Sequence, residues 1–402
     1  MAQHSLSPLR RTVVGVQFMF VAFGSTVLVP LLTGLDPAVA LLAAGLGTLL
    51  FHAVTGGKVP IYLGSSFAFI APIIKATELF GLGGMFCGLV SVGLVYMLMS
   101  LLVKTFGIDL IKKLFPPVVI GPVIILIGLS LAGAGVNMAQ ENWILAIVSL
   151  AVAVAASIWG KGMVKLIPVV FGALAGYVVA LIFFRDTMDF SVVGNASWFA
   201  FPKLAKMSFS WQAILFMAPV AIAPIIEHVG DMYAIGSIAG KDFVKDPGLH
   251  RTMLGDGLSC VLAAFLGGAP ITTYSEVTGA VSLTKVTDPS VLRIAAVSAV
   301  VLSVIGKVGA VIQTIPSAVL GGIMLLLFGS IASVGISNMI QAKIDMGSTR
   351  NLIIVSLILT IGIGGAIISV GSFTLSGIGL ASLVGVILNL ILPEDKKAAA
   401  EK

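Results

Sequence analysis

The sequence predicts an all-α polytopic membrane protein of 14 spans in two inverted seven-span repeats, with two short antiparallel strands inside broken spans 3 and 10. Three observations predict it. Of its 402 residues 58% are hydrophobic and only 10% charged, with a mean hydropathy of +1.14, whereas soluble domains carry roughly 25% charged residues. Apolar stretches recur almost end to end, most of them long enough for a helix of ~20 residues to cross a bilayer. The basic residues also segregate by side.

The spans fall near 12–33, 37–54, 60–79, 82–103, 114–134, 142–160 and 164–184, then, after a polar break at 185–211, near 212–239, 251–267, 270–284, 291–313, 316–336, 351–371 and 374–392. The N-terminal segment MAQHSLSPLRRTVVGVQ runs into the first span without a small-residue cleavage site, so that span is read as a retained helix. With a cytoplasmic N-terminus and an even span number, 18 Lys and Arg residues fall on the inside and five, Lys75, Arg185, Lys203, Lys206 and Lys307, on or near the other face. That bias is the positive-inside rule, and it accounts for the pI of 9.3. No basic patch with interleaved aromatics suggests nucleic acid. Cys87 and Cys260 lie in apolar stretches and are read as buried thiols, with neither disulfide nor metal site.

An internal repeat supports the two halves. KVPIYLGSSFAFIAPI (58–73) and GAPITTYSEVTGAVSL (268–283) share Pro-Ile in the third span of each half, and FPPVVIGPVIILI (115–127) aligns with IPSAVLGGIMLLL (315–327) through Pro116/Pro316 and Gly121/Gly321. An odd number of spans per repeat inverts one half relative to the other.

Both third spans open badly as helices: residues 61–66 and 271–276 follow a proline and are rich in Gly, Ser, Thr and Tyr. Unpaired backbone in hydrocarbon costs several kcal/mol per group, so such stretches must pair or line a cavity. Paired as strands, each would run into a half-helix whose N-terminus offers free N–H donors and a positive dipole end. The alternative is a pair of kinked, glycine-weakened helices.

The intramembrane acids are Glu227, Asp231, Asp256 and Glu276. A carboxylate within a span costs at least ~2.5 kcal/mol and is a functional candidate by default. Glu227 and Asp231, four apart, share a helix face, and two like charges that close favour keeping one proton between them. For Asp231 and Asp256 a structural hydrogen bond to a helix end is an equal alternative. His228, about 100° round the helix from Glu227, is open to a structural or a proton-relay role. Glu276 falls in the first turn after the extended stretch, where the helix dipole favours it. Two carboxylates, free amides and the flat walls of Phe67 and Tyr274 suit a planar heterocycle such as a nucleobase. Four histidines at 4, 52, 228 and 250 offer no catalytic dyad, so an enzyme is not expected.

At these residues the chain resembles the nucleobase–ascorbate transporter family, and within it the bacterial uracil permeases. The resemblance covers nearly the whole chain and is strongest in FGSTVLVP (23–30), YLGSSFAFI (62–70), EHVGD (227–231), KDPGLHR (245–251) and TTYSEVTGAVSLTK (272–285). It implies a core domain (12–104 and 212–313) and a gate domain (107–184 and 316–392). It further implies a homodimer through the gate domains and elevator-type, proton-coupled import across the bacterial cytoplasmic membrane, both termini cytoplasmic. Lipid and a small nucleobase are the partners, and the proton is the only coupling species, with no cofactor. Carried over by motif, the side chains of Glu227 and Glu276 would bind the base, backbone amides at Phe67 and Ser275 would meet its carbonyls, and Ser25, Phe67 and Tyr274 would line the pocket. Asp231, Glu227, Asp256 and His228 would be the proton-coupling candidates. Asp231 stands where uracil permeases resembling this chain carry histidine, and Val277 replaces the usual asparagine. Purine-transporting members carry aspartate at the places of Asp231 and Asp256, so xanthine or urate is the alternative to the uracil that Glu276 favours. An anion carrier or channel of the same fold ranks lower.

Overall fold

The computed structural model describes residues 7–161, 163–202, 204–273, 275–370 and 373–393. Among them, six helical runs are long and apolar enough to cross a membrane, Pro8–Thr33, Pro37–Val54, Phe67–Phe106, Pro117–Gln140, Trp211–Ala239 and Ser317–Gln341, beside five shorter apolar helices.

Helix α1 (Pro8–Val21) starts on Ser7, whose hydroxyl accepts the Arg10 N–H, and passes through Ala22 into α2 (Phe23–Thr33). α3 (Pro37–Val54) is capped by Asp36, whose carboxylate takes the Ala38 N–H at 2.8 Å. The chain is then extended through β1 (Gly64–Ser65), makes one 3-10 turn at Phe67–Phe69 and enters α4 (Ile70–Phe106), which breaks at Gly81. α5 (Ile108–Leu114), α6 (Pro117–Ser130), α7 (Ala132–Gln140), α8 (Trp143–Trp159), α9 (Met163–Leu166) and α10 (Pro168–Phe183) follow. A largely irregular crossing that includes α11 (Ser191–Asn195) leads to α12 (Trp211–Met217), α13 (Ile222–Ala239) and α14 (Leu249–Leu266). β2 (Ile271–Thr272) opens into α15 (Ser275–Thr284), and α16 (Pro289–Ser303), α17 (Gly306–Gln313), α18 (Ser317–Gln341) and α19 (Thr349–Ile363) come next. β3 (Ile367–Val370), β4 (Phe373–Ser376) and α20 (Gly377–Ile391) complete the order.

The helices pack in two groups. α14 lies against α3 and α4, α16 against α1 and α3, α12 against α4, and α13 against α15; α18 packs on α6, α7 and α8, α10 on α8, and α19 on α6 and α20. Residues far apart in sequence therefore share a neighbourhood. Helices in a bilayer gain little from burying apolar surface against one another, so close backbone approach carries their association. Where α4 crosses α14, a methyl group on Gly257 would sit 2.9 Å from the Gly93 carbonyl oxygen, and one on Gly93 only 2.5 Å from that of Gly257. Gly257→Val is expected to cost about 3 kcal/mol through overpacking, read as a lowered melting temperature of the detergent-solubilised protein. An unchanged melting temperature would show that the two helices can separate freely.

Three elements differ from the sequence expectation. The span near 351–371 stops as a helix at Ile363: Gly365 adopts φ 64°, and Ile367–Val370 pairs antiparallel with Phe373–Ser376 as a hairpin. The β-branched and aromatic residues of IISV and FTLS favour that pleated pairing over a further helical turn. The span near 291–313 divides at Val304–Ile305, where the crossing segment satisfies the freed backbone: Ala200 N–H donates to Val304 O at 3.0 Å, and Gly306 N–H to Trp198 O at 3.1 Å. Cys87 is only half-buried, whereas Cys260 is fully buried.

Outside the spans, Asp288 caps α16 by accepting the Ser290 N–H at 2.9 Å and lies 3.7 Å from Nη2 of Arg11 at the start of α1. Burial alone would raise its carboxyl, but the Ser290 hydrogen bonds and the Arg11 and Arg293 charges hold it below the usual carboxylate range. A depressed folded-state pKa contributes stability above the unfolded value and loses it as pH falls through the folded one. Asp288→Ala is thus expected to cost about 1 kcal/mol at neutral pH. The gap to wild type should close below about pH 4, as melting curves across pH would show. A gap that widened in acid would refute the assignment.

Candidate functional site

The two extended segments meet: Gly64 pairs with Thr272 and Ser65 with Ile271, antiparallel, and Ser66 N–H donates to Pro270 O at 3.0 Å. So short a ladder leaves neighbouring backbone groups to satisfy, and side chains of α3 and α14 do so. Thr48 Oγ1 accepts the Leu63 N–H at 2.9 Å, His52 Nε2 donates to Ile61 O at 2.8 Å, and the Cys260 thiol donates to Ile271 O at 3.2 Å. Ser259 Oγ ties α14 to α3 through Gly47 O at 2.9 Å. Irregular backbone inside an apolar bundle is tolerated only with partners of this kind.

Each strand then turns into a helix, so that the 3-10 turn begins at Phe67 and α15 at Ser275, with Glu276 in its first turn. A helix start leaves its first N–H groups without intrahelical partners and favours a carboxylate there. Glu276 and Glu227 both line one cavity of about 140 Å³. The segments around the two strands also contribute Ser65, Ser66, Phe67 and Thr272; the rest of the lining is supplied by Ile124 and Ile127 of α6 and by Ser330, Ile331 and Val334 of α18. Among the described residues no Lys or Arg lines it. Phe67 is held edge-on against Phe328 of α18, ring centres 5.8 Å apart. The arrangement can accept hydrogen bonds from a donor-bearing ligand at the two acids and clamp an apolar edge between aliphatic side chains.

The other sequence candidates are distributed around this cavity. Ser25 lines an adjoining cavity of about 370 Å³ that shares Phe67, Glu276 and Ser330 with the first and also carries Lys165; its hydroxyl donates to Ala22 O at 3.3 Å. Asp231, one turn beyond Glu227, is buried with 3% exposure and does not line the cavity. His228 and Asp256 are fully buried behind the cavity and bonded to each other at 2.9 Å. Ser275 contributes the start of α15, and Tyr274 lies outside the described residues. Among the described residues, no three His, Cys, Asp or Glu side chains gather to hold a metal. Sequence reasoning missed the α6 and α18 wall: Ile124, Ile127, Ile331 and Val334 are apolar residues in apolar helices, with no local signal to separate them from lipid-facing neighbours. A third cavity, about 600 Å³, lies between α6, α13 and α18, bounded by Ile120, Gly230, Tyr233 and Asn338.

The pattern of the Permease family matches residues 10–371. The probable uracil permease of Haemophilus influenzae is 49% identical over 399 residues, covering 97% of this chain and 96% of that protein. The uracil permease of Bacillus caldolyticus is 44% identical over 400 residues, covering 96% and 92%; that of Escherichia coli K12 is 41% identical over 396 residues, again covering 96% and 92%. Among solved structures, SLC26A9 superposes with a TM-score of 0.72 at 13% identity, over 95% of this chain, which spans 65% of the length of that protein. The transmembrane domain of the cyanobacterial bicarbonate transporter BicA gives 0.59 at 16% identity, over 96% of this chain and 98% of that domain. At such identities the likeness to the two structures is one of fold.

Proposed function

Because the chain belongs to the permease family, and is therefore a multi-pass membrane transporter and not an enzyme, we propose that it imports uracil together with protons. The observation that carries this reading is the cavity in which Glu276, at a helix start, and Glu227 lie together, with no basic residue among the described residues that line it. Uracil presents two ring N–H donors and two carbonyl acceptors. Ionised carboxylates only accept, so Glu227 and Glu276 take the N–H groups, and the backbone amides of Phe67 and Ser275 take the carbonyls. The C5–C6 edge is left for Ile124, Ile127, Ile331 and Val334. Ser25, in the adjoining cavity, lies on the approach. Relatives 41–49% identical that are named uracil permeases support uracil as the base.

In the same reading the chain has fourteen spans in two inverted repeats, spans 3 and 10 being those that contain the paired strands. Residues 12–104 and 212–313 form a core that carries the base past a gate of 107–184 and 316–392 by an elevator movement; both termini are cytoplasmic and the gate makes a homodimer in the bacterial inner membrane. The two packing groups of helices are compatible with that division. Asp231, a helical turn from Glu227, takes the coupled proton.

A purine substrate is the second reading, favoured by the aspartates at 231 and 256. An anion, by contrast, meets two carboxylates and, among the described residues, no cation in the central cavity. Uptake of radiolabelled uracil into proteoliposomes, with and without an inward proton gradient and with excess unlabelled xanthine, tests the choice. Gradient-driven accumulation that ignores xanthine is expected; block by xanthine, or no uracil uptake, would turn the assignment to a purine.

A further inference from the structure

Behind the cavity, three hydrogen-bond contacts converge on one oxygen. Oδ2 of Asp256, on α14, lies 2.9 Å from Nδ1 of His228 on α13, accepts the Thr273 N–H at 3.1 Å and is 3.4 Å from the Thr273 hydroxyl. The same Nδ1 is also 3.0 Å from the Thr273 hydroxyl, so His228 and Thr273 meet directly as well as through Asp256. The other ring nitrogen is 2.8 Å from Thr252 Oγ1, whose hydroxyl reaches Leu249 O at 3.0 Å. Tyr96 meets the ring edge-on, with centres 6.3 Å apart. His228, Thr252, Asp256 and Thr273 are each 0% exposed, so bulk water does not reach the network. Oδ1 of Asp256 has no partner among the described residues, leaving Oδ2 to hold the whole junction.

The placement of those bonds is informative. His228 follows Glu227 directly, and Thr273 precedes Glu276 by three residues, in the stretch between the two-residue strand β2 and helix α15. A ladder that short does not by itself orient the chain beyond it. Together with the direct His228–Thr273 contact, Asp256 therefore ties the two segments that carry the cavity's carboxylates, and it alone accepts the Thr273 N–H, while lining no part of that cavity itself.

We propose that Asp256 is a positioning residue for transport, which sets the spacing of Glu227 and Glu276 through His228 and Thr273 and carries no coupled proton. The proposal rests on the reading of the cavity as the base site, so its test has one arm that needs no substrate.

That arm is hydrogen–deuterium exchange of the full-length protein over residues 271–277. Asp256→Ala is expected to speed exchange there about tenfold or more, because the Thr273 N–H loses its acceptor and only the His228–Thr273 side-chain contact still joins the two segments. In Asp256→Asn one amide oxygen can still accept from His228 and Thr273, so exchange should stay within about threefold of wild type. The second arm is uracil binding and uptake. Asp256→Ala should weaken binding about 100-fold and Asp256→Asn no more than about tenfold. At saturating uracil, Asp256→Asn should still reach the wild-type accumulation ratio under a proton gradient. Asp256→Leu, which fills the same space but cannot accept a hydrogen bond, carries the test if the alanine variant does not fold.

Unchanged exchange at 271–277 in Asp256→Ala, or in Asp256→Leu where it stands in, would overturn the tether. Wild-type binding with lost accumulation in Asp256→Asn would make Asp256 a proton carrier and overturn the proposal. A wild-type protein that binds no uracil would refute the substrate reading alone, and the exchange arm would still decide the tether.

Discussion

Glu276→Gln is expected to weaken uracil binding by two to three orders of magnitude, about 3–4 kcal/mol. The residue opens α15 beside the paired strands and lines the cavity together with Glu227. Its carboxylate can only accept, which is what a ring N–H requires; the amide of glutamine offers one acceptor and two donors, so one orientation sets N–H against N–H and the other keeps a weaker, neutral bond. The substitution barely changes volume, so the helix and its packing should survive, and the melting temperature of the variant is the control. Isothermal titration or equilibrium binding in detergent measures the loss. Unaltered affinity would remove Glu276 from the pocket and with it the orientation assigned to the base.

Asp231→Asn should leave uracil binding within about threefold of wild type and reduce the accumulation ratio under a proton gradient to nearly one. Asp231 is buried one helical turn from Glu227 and does not line the cavity, so an isosteric amide disturbs the ligand little. It removes the carboxylate that would otherwise take up and release the coupled proton. Exchange of labelled for unlabelled uracil across proteoliposomes needs binding and movement but no net proton flow. Intact exchange with lost accumulation is therefore the expected signature. Loss of binding with coupling retained would move the proton role to another group.

These variants probe side chains whose candidacy was visible in the chain but whose placement was not. Glu227 and Asp231 were expected on one helix face, yet only Glu227 lines the cavity. A residue step turns a helix by about 100°, and that rotation sends His228 away from the cavity and into a buried contact with Asp256 of α14, 28 positions on in sequence. Neither the hydrogen-bond partner nor the depth follows from local pattern. Ser25, matched by motif to the pocket wall, lies in the adjoining cavity with Lys165.

By itself the sequence determined the membrane class, the positions of most apolar helices, the two places where the helical pattern fails after a proline, and the short set of acids worth suspecting. Each of these reflects a local cost: a charge or an unpaired backbone group in hydrocarbon is expensive wherever it occurs, so its presence stands out without knowledge of its neighbours. Tertiary structure alone decided which groups relieve those costs. Thr48 and His52 of α3 satisfy the chain before β1, and residues 198–200 close the break at Val304–Ile305. It also decided that α6 and α18 face the acids with Ile124, Ile127, Ile331 and Val334. Apolar side chains cost nothing in lipid or in a protein core, so composition cannot tell a pocket wall from a lipid-facing surface; only the packing of helices distant in sequence makes that distinction.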